Sequence, residues 1–399
     1  MDENEQNVFT LDPNTAQGFI TTSMSGVSIM ENMENIDFNT LCYNPYASSR
    51  PIQRVRRIPQ SNPYFLKPVF RPKIKKYSCK KAGDTIKSQR LWSCEIEHYT
   101  YYRTNPTATL YSKLPKGFTI SNDGSLDSQE DRRGQRLNQG KEIQTCLFGG
   151  SRGENKIRDF LKRMREIKSY VDASCGLHIH IDATDIRQLP DIAQTNVLRK
   201  IIAFHILYED VISFFLPANR RANRFARQLN QYFNYHDLKD CHSIEQFIEF
   251  WYKDNPDNVM TRLHRRYDSV RYYGINLHCY FSQNNIEVRH HSGTLNAQKV
   301  LEWVNLHTAI IDYCKDDTST LAKIESDAIA LHSQYLSDRA GLIRDMCKIL
   351  GLSEDSVEYF QSRAKKFEKD DGLYEGDMSI PDSKKGLTNL NENENLCVA

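Results

Sequence analysis

The sequence lacks any apolar run near the roughly 20 residues that a bilayer-spanning helix requires, so no membrane span is expected. It lacks a basic, apolar leader: the first residues are acidic, which is not the pattern of a secretory signal. It has no Cys-x-x-Cys pair. The ten cysteines, at 42, 79, 94, 146, 175, 241, 279, 314, 347 and 397, are scattered. That spacing argues against a zinc ribbon and, without a leader, against a disulfide framework, so reduced thiols in the cytoplasm are expected. Cys397 stands one residue too close to the last residue for a prenylation motif, and no lipid anchor is expected. Neither a Gly-x-x-x-x-Gly-Lys-Ser/Thr loop nor a Gly-x-Gly-x-x-Gly fingerprint occurs, so any nucleotide phosphates must be held by metals and basic side chains. Charge of one sign is also missing from the total: 53 Lys and Arg stand against 51 Asp and Glu, and nothing in that balance demands nucleic acid.

What is there is unevenly distributed. Hydrophobic residues make up 39% of the 399, low for one compact domain, so part of the chain is expected outside any core. Residues 1–49 carry seven acidic side chains and no Lys or Arg, a composition that points to disorder. The sign then reverses. From Arg50 to Arg90 there are thirteen Lys or Arg against the single acid Asp84, interleaved with Pro63, Tyr64, Phe65, Pro68, Phe70 and Tyr77. A basic stretch with aromatics can neutralise phosphates and stack on bases, so a weak nucleic-acid contact is one reading of residues 50–90. A solvated, proline-broken linker over 50–89 is the reading we favour. Residues 90–350 are patterned as a folded domain, and 351–399 read as a charged, disordered tail.

The most informative stretch is Gly176-Leu177-His178-Ile179-His180-Ile181-Asp182. Alternation in a strand places His178, His180 and Asp182 on one face and the aliphatics on the other, with the imidazoles ~7 Å apart. By itself this is equally a half-buried strand with polar decoration. Three more segments repeat the arrangement. Leu91 to Tyr99 reads as a strand carrying Glu95 and Glu97 on one face, and Lys141 to Leu147 as one carrying Glu142, Gln144 and Cys146. Asn285 to His291 carries Glu287, Arg289 and His291, and is expected to pair with Arg271 to Leu277 across a turn at 283–285. Phe118 to Leu126 is a short strand running into an Asp-Gly turn. Helical spacing marks Lys156 to Tyr170, Val197 to Leu216 (stopped by Pro217), Ser243 to Tyr252 with Ser243 as cap, and Ala297 to about Cys314. Asn219 to Arg224 reads as an arginine-rich loop.

Like charges on one strand face repel unless a cation lies between them. Repetition of acid, acid, histidine and acid-plus-arginine on four strands therefore suggests one groove on an α+β fold, a curved antiparallel sheet with helices on its other face. Carboxylates and imidazole suit a hard divalent cation, and a guanidinium suits phosphate oxygens.

The ordered set Glu95-x-Glu97, Asp123-Gly124-Ser125-Leu126, Glu142-Ile143, Cys175-Gly176-Leu177-His178-x-His180-x-Asp182-Ala183, Arg271-Tyr272, Asn276, Glu287-x-Arg289 and Gly293-Thr294-Leu295 resembles the amidoligases. These are carboxylate–amine ligases with a glutamine-synthetase-like fold, and the likeness spans about residues 90–320. It departs from the family pattern at Ser93-Cys94, where glycine is usual, and at Gln144-Thr145-Cys146, where Ser-Pro commonly follows Glu-Ile. The resemblance implies that Glu95, Glu97, Glu142, His178 and Glu287 bind Mg²⁺ or Mn²⁺, and that His180, Arg289 and Arg271 contact ATP phosphates. It implies ATP-dependent amide formation through an acyl phosphate, with a carboxylate and an amine (amino acid, peptide or protein side chain) as partners. A metal-dependent hydrolase using the same Glu/His groups, or an inactive scaffold with a basic nucleic-acid-binding arm, are the alternatives.

Overall fold

Two-residue alternation and helical periodicity divide the protein between an open antiparallel sheet and long helices laid against one face of it. The computed structural model describes residues 19–24, 27–32, 84–101 and 114–368, apart from 127, 132, 222, 256–258, 266 and 335–337. The basic segment at 50–83, the rest of 1–49 and the tail at 369–399 lie outside the described residues. The chain divides into two compact units, residues 1–62 and 63–399. In the first, β1 (Phe19–Met24) pairs antiparallel with β2 (Val27–Asn32), Phe19 opposite Asn32 and Met24 opposite Val27. Ile20, Thr21, Thr22, Val27 and Ile29 are β-branched, which gives these stretches strand propensity inside an acidic segment.

The second unit holds a seven-stranded sheet in the order β4-β5-β3-β7-β9-β8, with β6 also pairing β3. Its strands are β3 (Trp92–Thr100), β4 (Phe118–Asn122), β5 (Lys141–Thr145), β6 (Ser169–Tyr170), β7 (Gly176–Asp182), β8 (Ile275–Asn276) and β9 (Asn285–Ser292). Every pairing is antiparallel. The fold is α+β, as the alternation in the sequence implies. One face is aliphatic: Ile143, Ile96, Cys94, Leu177, Ile179, Ile181, Ile286 and Val288 are almost fully buried.

Helices α1 (Gly150–Glu166), α2 (Asp191–Ser213), α3 (Ile244–Trp251), α4 (Ala297–Lys315), α5 (Leu321–Gln334), α6 (Arg339–Ile349) and α7 (Glu354–Phe367) account for most of the remainder. Phe118 of β4 stacks on Phe160 of α1 at 4.1 Å between ring centroids, and His291 of β9 meets Trp303 of α4 at 5.1 Å. At ~25 cal/mol per Å² of apolar surface, this helix-covered face is the main source of stability.

Several boundaries differ from the sequence expectation for identifiable reasons. The helix expected at 156–170 starts at Gly150 and ends by Glu166, because Lys168 turns left-handed (φ 55°) and frees Ser169–Tyr170 to pair with β3. α2 begins at Asp191 directly after Pro190, a proline suited to a helix start. Ser243 caps α3 as expected, its side chain accepting from Gln246 N. The expected hairpin 271–277/285–291 is only partly present. Asp268 accepts from Val270 N and winds Ser269–Tyr272 into a helical turn, and the helix His278–Gln283 replaces a simple turn before left-handed Asn284. Composition marks 351 onward as a disordered tail, but Ser353 caps α7 and Val357, Phe360, Ala364 and Phe367 bury one face of it. Its apolar positions are too sparse among charges to stand out without the periodicity.

Candidate metal and phosphate site

The polar side chains gather on the sheet face opposite the helices because the strand registers align them. Glu97 lies opposite Glu142, Glu95 opposite both Gln144 and His178, His180 opposite Glu287, and Glu287 opposite Asn276. Side chains opposite one another across an antiparallel pair point to the same face, so four strands deliver one continuous polar row. Glu142, Glu95, Glu97, His178, His180, Glu287 and Arg289 are all brought together.

The distances are short. His178 Nδ1 lies 3.4 Å from Glu95 Oε2 and 3.7 Å from Glu287 Oε1, while its Nε2 lies 3.8 Å from Glu97 Oε1. His180 Nε2 lies 3.3 Å from Glu95 Oε1 and 4.0 Å from Glu287 Oε1, and its Nδ1 meets Asn285 Oδ1 at 2.9 Å. Arg289 donates from Nη1 to Glu287 Oε1 and from Nε to the Phe225 carbonyl at 3.1 Å. Asn276 Nδ2 donates to Glu287 Oε2 at 2.5 Å, and Gly176 N to Glu97 Oε2 at 2.5 Å. Gln144 donates to Glu142 Oε1 at 2.6 Å. Each carboxylate thus keeps oxygen lone pairs facing the others.

Burial makes these charges matter. It pushes Glu287 up, but Arg289, His180 and His178 outweigh it and hold that carboxyl at about 2. Burial likewise opposes ionisation of Glu95, and His180 and His178 bring it well below the usual range. His180 feels burial in the opposite sense, and Glu95 and Glu287 hold it well above an ordinary imidazole. Glu142 has no such support. Burial and then the Glu95 charge push it up to about 8.

The donor atoms fall into three overlapping groups, each within 4.8 Å: Glu95, His178 and Glu287; Glu97, Glu142 and His178; and His180, Cys279 and Glu287. The first two consist of carboxylate oxygens and one shared imidazole, a set suited to Mg²⁺ or Mn²⁺. Glu142, pushed up to about 8, marks a place where carboxylates outnumber cations, and a divalent ion there would answer the imbalance. The residues present therefore fit such an ion.

Not every residue singled out from the sequence joins the cluster. Among the described residues Arg271 makes no ion pair with these carboxylates; its guanidinium lies over the rings of Tyr267 (4.6 Å) and Tyr272 (5.4 Å). Arg289 lies over the same Tyr272 ring, 5.9 Å from its centroid. Asp182 ends β7 and accepts from Thr184 Oγ1 at 2.6 Å, starting the next helical turn. His291 does not share the face of Glu287 and Arg289. The register slips between Leu177↔His291 and Ile179↔Val288, and this bulge turns His291 to the helix side against Trp303.

Two neighbours were not assigned from the sequence. Cys279 directs its thiol to Glu287 Oε2 at 3.4 Å, carried there by the unforeseen helix at 278–283. Arg220, read as part of a loop, lies in the helical turn Ala218–Arg221 and is only 4% exposed. The cluster of three arginines at 220, 221 and 224 was its only signal in the sequence.

A family model described as "Putative amidoligase enzyme" matches residues 70–311, more than half of the chain and a span that contains the whole cluster. No curated protein matches the chain.

Proposed function

This chain belongs to the amidoligase family, and from that membership we propose that it is an ATP-dependent carboxylate–amine ligase working through an acyl phosphate. The observation that carries the reading is the pair of carboxylate–histidine groups sharing His178, with Arg289 beside them on one sheet face. Glu95, His178 and Glu287 would hold one Mg²⁺ or Mn²⁺, and Glu97, Glu142 and His178 a second. Bound there, the cations would supply Lewis-acid neutralisation of the nucleotide phosphates.

The chain's own groups account for the rest. His180, kept cationic by Glu95 and Glu287, and Arg289, kept in place by Glu287 and the Phe225 carbonyl, would donate to phosphate oxygens as negative charge shifts during transfer. Arg271, which shares the Tyr272 ring with Arg289, would meet the nucleotide at the rim. The substrate carboxylate oxygen attacks the γ-phosphorus, the bond to the ADP oxygen breaks, and ADP leaves. The amine then attacks the acyl carbon, phosphate departs, and the amine loses a proton, giving the amide.

The test is turnover. The full chain with ATP, Mg²⁺ and a panel of carboxylates paired with amines should release ADP only when both partners are present, with a product mass equal to acid plus amine minus water. Product formed by cleavage of an amide without ATP would overturn the ligase reading in favour of hydrolysis.

A further inference from the structure

Arg220 is a buried cation that no carboxylate touches among the described residues; the Glu97 charge reaches it only through space. Among the described residues its side chain makes a single hydrogen bond, from Nη2 to the Cys175 carbonyl, and its Nε has no partner. Among the described residues no carboxylate lies within 4.0 Å of it. Arg262, Arg90 and Arg289 are treated differently: Arg262 grips Asp268 at 2.7 Å, Arg90 grips Asp185 at 2.7 Å, and Arg289 has Glu287, while buried Arg199 spends its donors on the Leu238 and Lys239 carbonyls and on Asn196. Leaving a guanidinium desolvated and unpaired is among the costliest arrangements available to a side chain. It persists where a ligand completes the pairing.

The position of the group says which ligand. A methyl on Gly176 would lie 3.1 Å from Arg220 Nη2, 3.0 Å from His178 Nε2 and 3.3 Å from Glu97 Oε2. Gly176 precedes His178 by two on β7 and shares its face, so the guanidinium reaches over the cluster side of the sheet. A side chain at 176 would separate it from the cluster. The charge of Glu97 and, in the opposite sense, that of Arg289 both act on the Arg220 guanidinium, which agrees with its place beside the cluster.

We propose that Arg220 binds an oxyanion of the reacting group, either the substrate carboxylate or the phosphoryl group transferred to it. A planar fork of N–H donors matches both. Naming the oxyanion as a reactant rests on the ligase reading above; the anion site stands on the unpaired guanidinium alone.

The experiment measures binding without turnover. The full chain, loaded with Mg²⁺, is titrated with inorganic phosphate, with acetate and with β,γ-imido-ATP, following melting temperature and heat of binding. Loss of a charge-assisted bidentate contact weakens phosphate or acetate about tenfold or more in Arg220→Met. The same variant, without ligand, melts at or above the wild-type temperature because an unpaired buried charge has been removed. A residue that only held the fold together would lower it. Retained imido-ATP affinity identifies the substrate carboxylate as the occupant, and a parallel loss identifies the γ-phosphate. Phosphate and acetate binding as tight in Arg220→Met as in wild type would overturn the proposal. Gly176→Ala is the second variant: its methyl crowds Arg220 with the arginine intact, and undiminished anion binding there overturns the proposal equally. A chain whose anion binding depends on Arg220 but which releases no ADP with any carboxylate–amine pair would refute the ligase reading and leave the anion site standing.

Discussion

Lowering the pH from about 7 to about 5 should destabilise the protein in a way that traces to one buried imidazole, His205. It lies on α2, 2% exposed, with Nδ1 on the Ile201 carbonyl at 2.8 Å and Nε2 on His307 Nδ1 at 3.3 Å. The two rings stack at 5.5 Å with their planes 4° apart. Burial, reinforced by His290, lowers His205 from 6.5 to about 4. The unfolded chain therefore takes up a proton below 6.5 that the folded chain refuses until about 4. The stabilisation is in place above 6.5 and is lost as the pH falls towards 4. Between about pH 7 and 5 those two values correspond to a loss of ~2 kcal/mol from this one residue.

His98, also lowered to about 4, and His291 and His307, held well below the ordinary range, act in the same direction. Glu142 acts in the opposite one, because its folded form, raised to about 8, holds a proton that the unfolded form releases above 4.5. Comparing wild type with His205→Gln by urea unfolding at each pH cancels the contributions of His98, His291 and Glu142, while that of His307, bonded to His205, moves with it. The wild-type advantage over the variant should shrink by ~2 kcal/mol from about pH 7 to 5. An advantage constant to within ~0.5 kcal/mol would refute the assignment of a neutral, proton-refusing imidazole.

Other outcomes follow from the packing and the site. Glu287→Gln and His178→Ala should each abolish Mg²⁺-dependent nucleotide binding, read by calorimetry, with an unchanged circular dichroism spectrum; nucleotide binding intact in both would count against the site. Gly274→Ala places a methyl 1.6 Å from His290 Nε2 and should cost ~1–3 kcal/mol or more by thermal melting. Arg262→Met strips a buried partner from Asp268 (Nη2 to Oδ1 2.7 Å, Nε to Oδ2 3.0 Å) and should cost ~3–5 kcal/mol, most of it recovered when Asp268→Leu is added. Ser243→Ala removes the acceptor for Gln246 N and should cost ~1 kcal/mol, seen as earlier fraying of α3 by hydrogen exchange.

The strands that carry the cluster were legible in the sequence because period-2 alternation is short-ranged and survives any tertiary context. Glu95, Glu97, Glu142, His178, His180, Glu287 and Arg289 could all be placed on strand faces from the residues alone, and registers they could not specify bring them into one row. His291 defeats the same logic, since one bulge reverses the phase downstream of Arg289 and nothing local announces it. Cys279 was hidden by a helical turn inserted where a hairpin turn was expected. Arg220 was hidden for a different reason. A basic cluster in sequence looks solvated, and only the position of Gly176 shows that one of its members is drawn under the surface. Helix ends were read less well than helix existence, because Pro190, Lys168 and Ser353 act through backbone geometry rather than through hydropathy.

The antiparallel pairing of β7 with β9 also governs when the cluster comes into being. Residues 176–182 must wait for 285–292, so the contact closes a loop of about a hundred residues and is slow to form on topological grounds. An earlier folding intermediate with β3, β5 and β7 paired would hold Glu95, Glu97, Glu142 and both histidines, yet lack Glu287 and Arg289. During synthesis the same order applies, since β7 leaves the ribosome well before β9. The proposed nucleotide site would therefore be completed in one step, at the docking of β9, and a chain interrupted before residue 285 would expose its acidic row without Glu287 and Arg289.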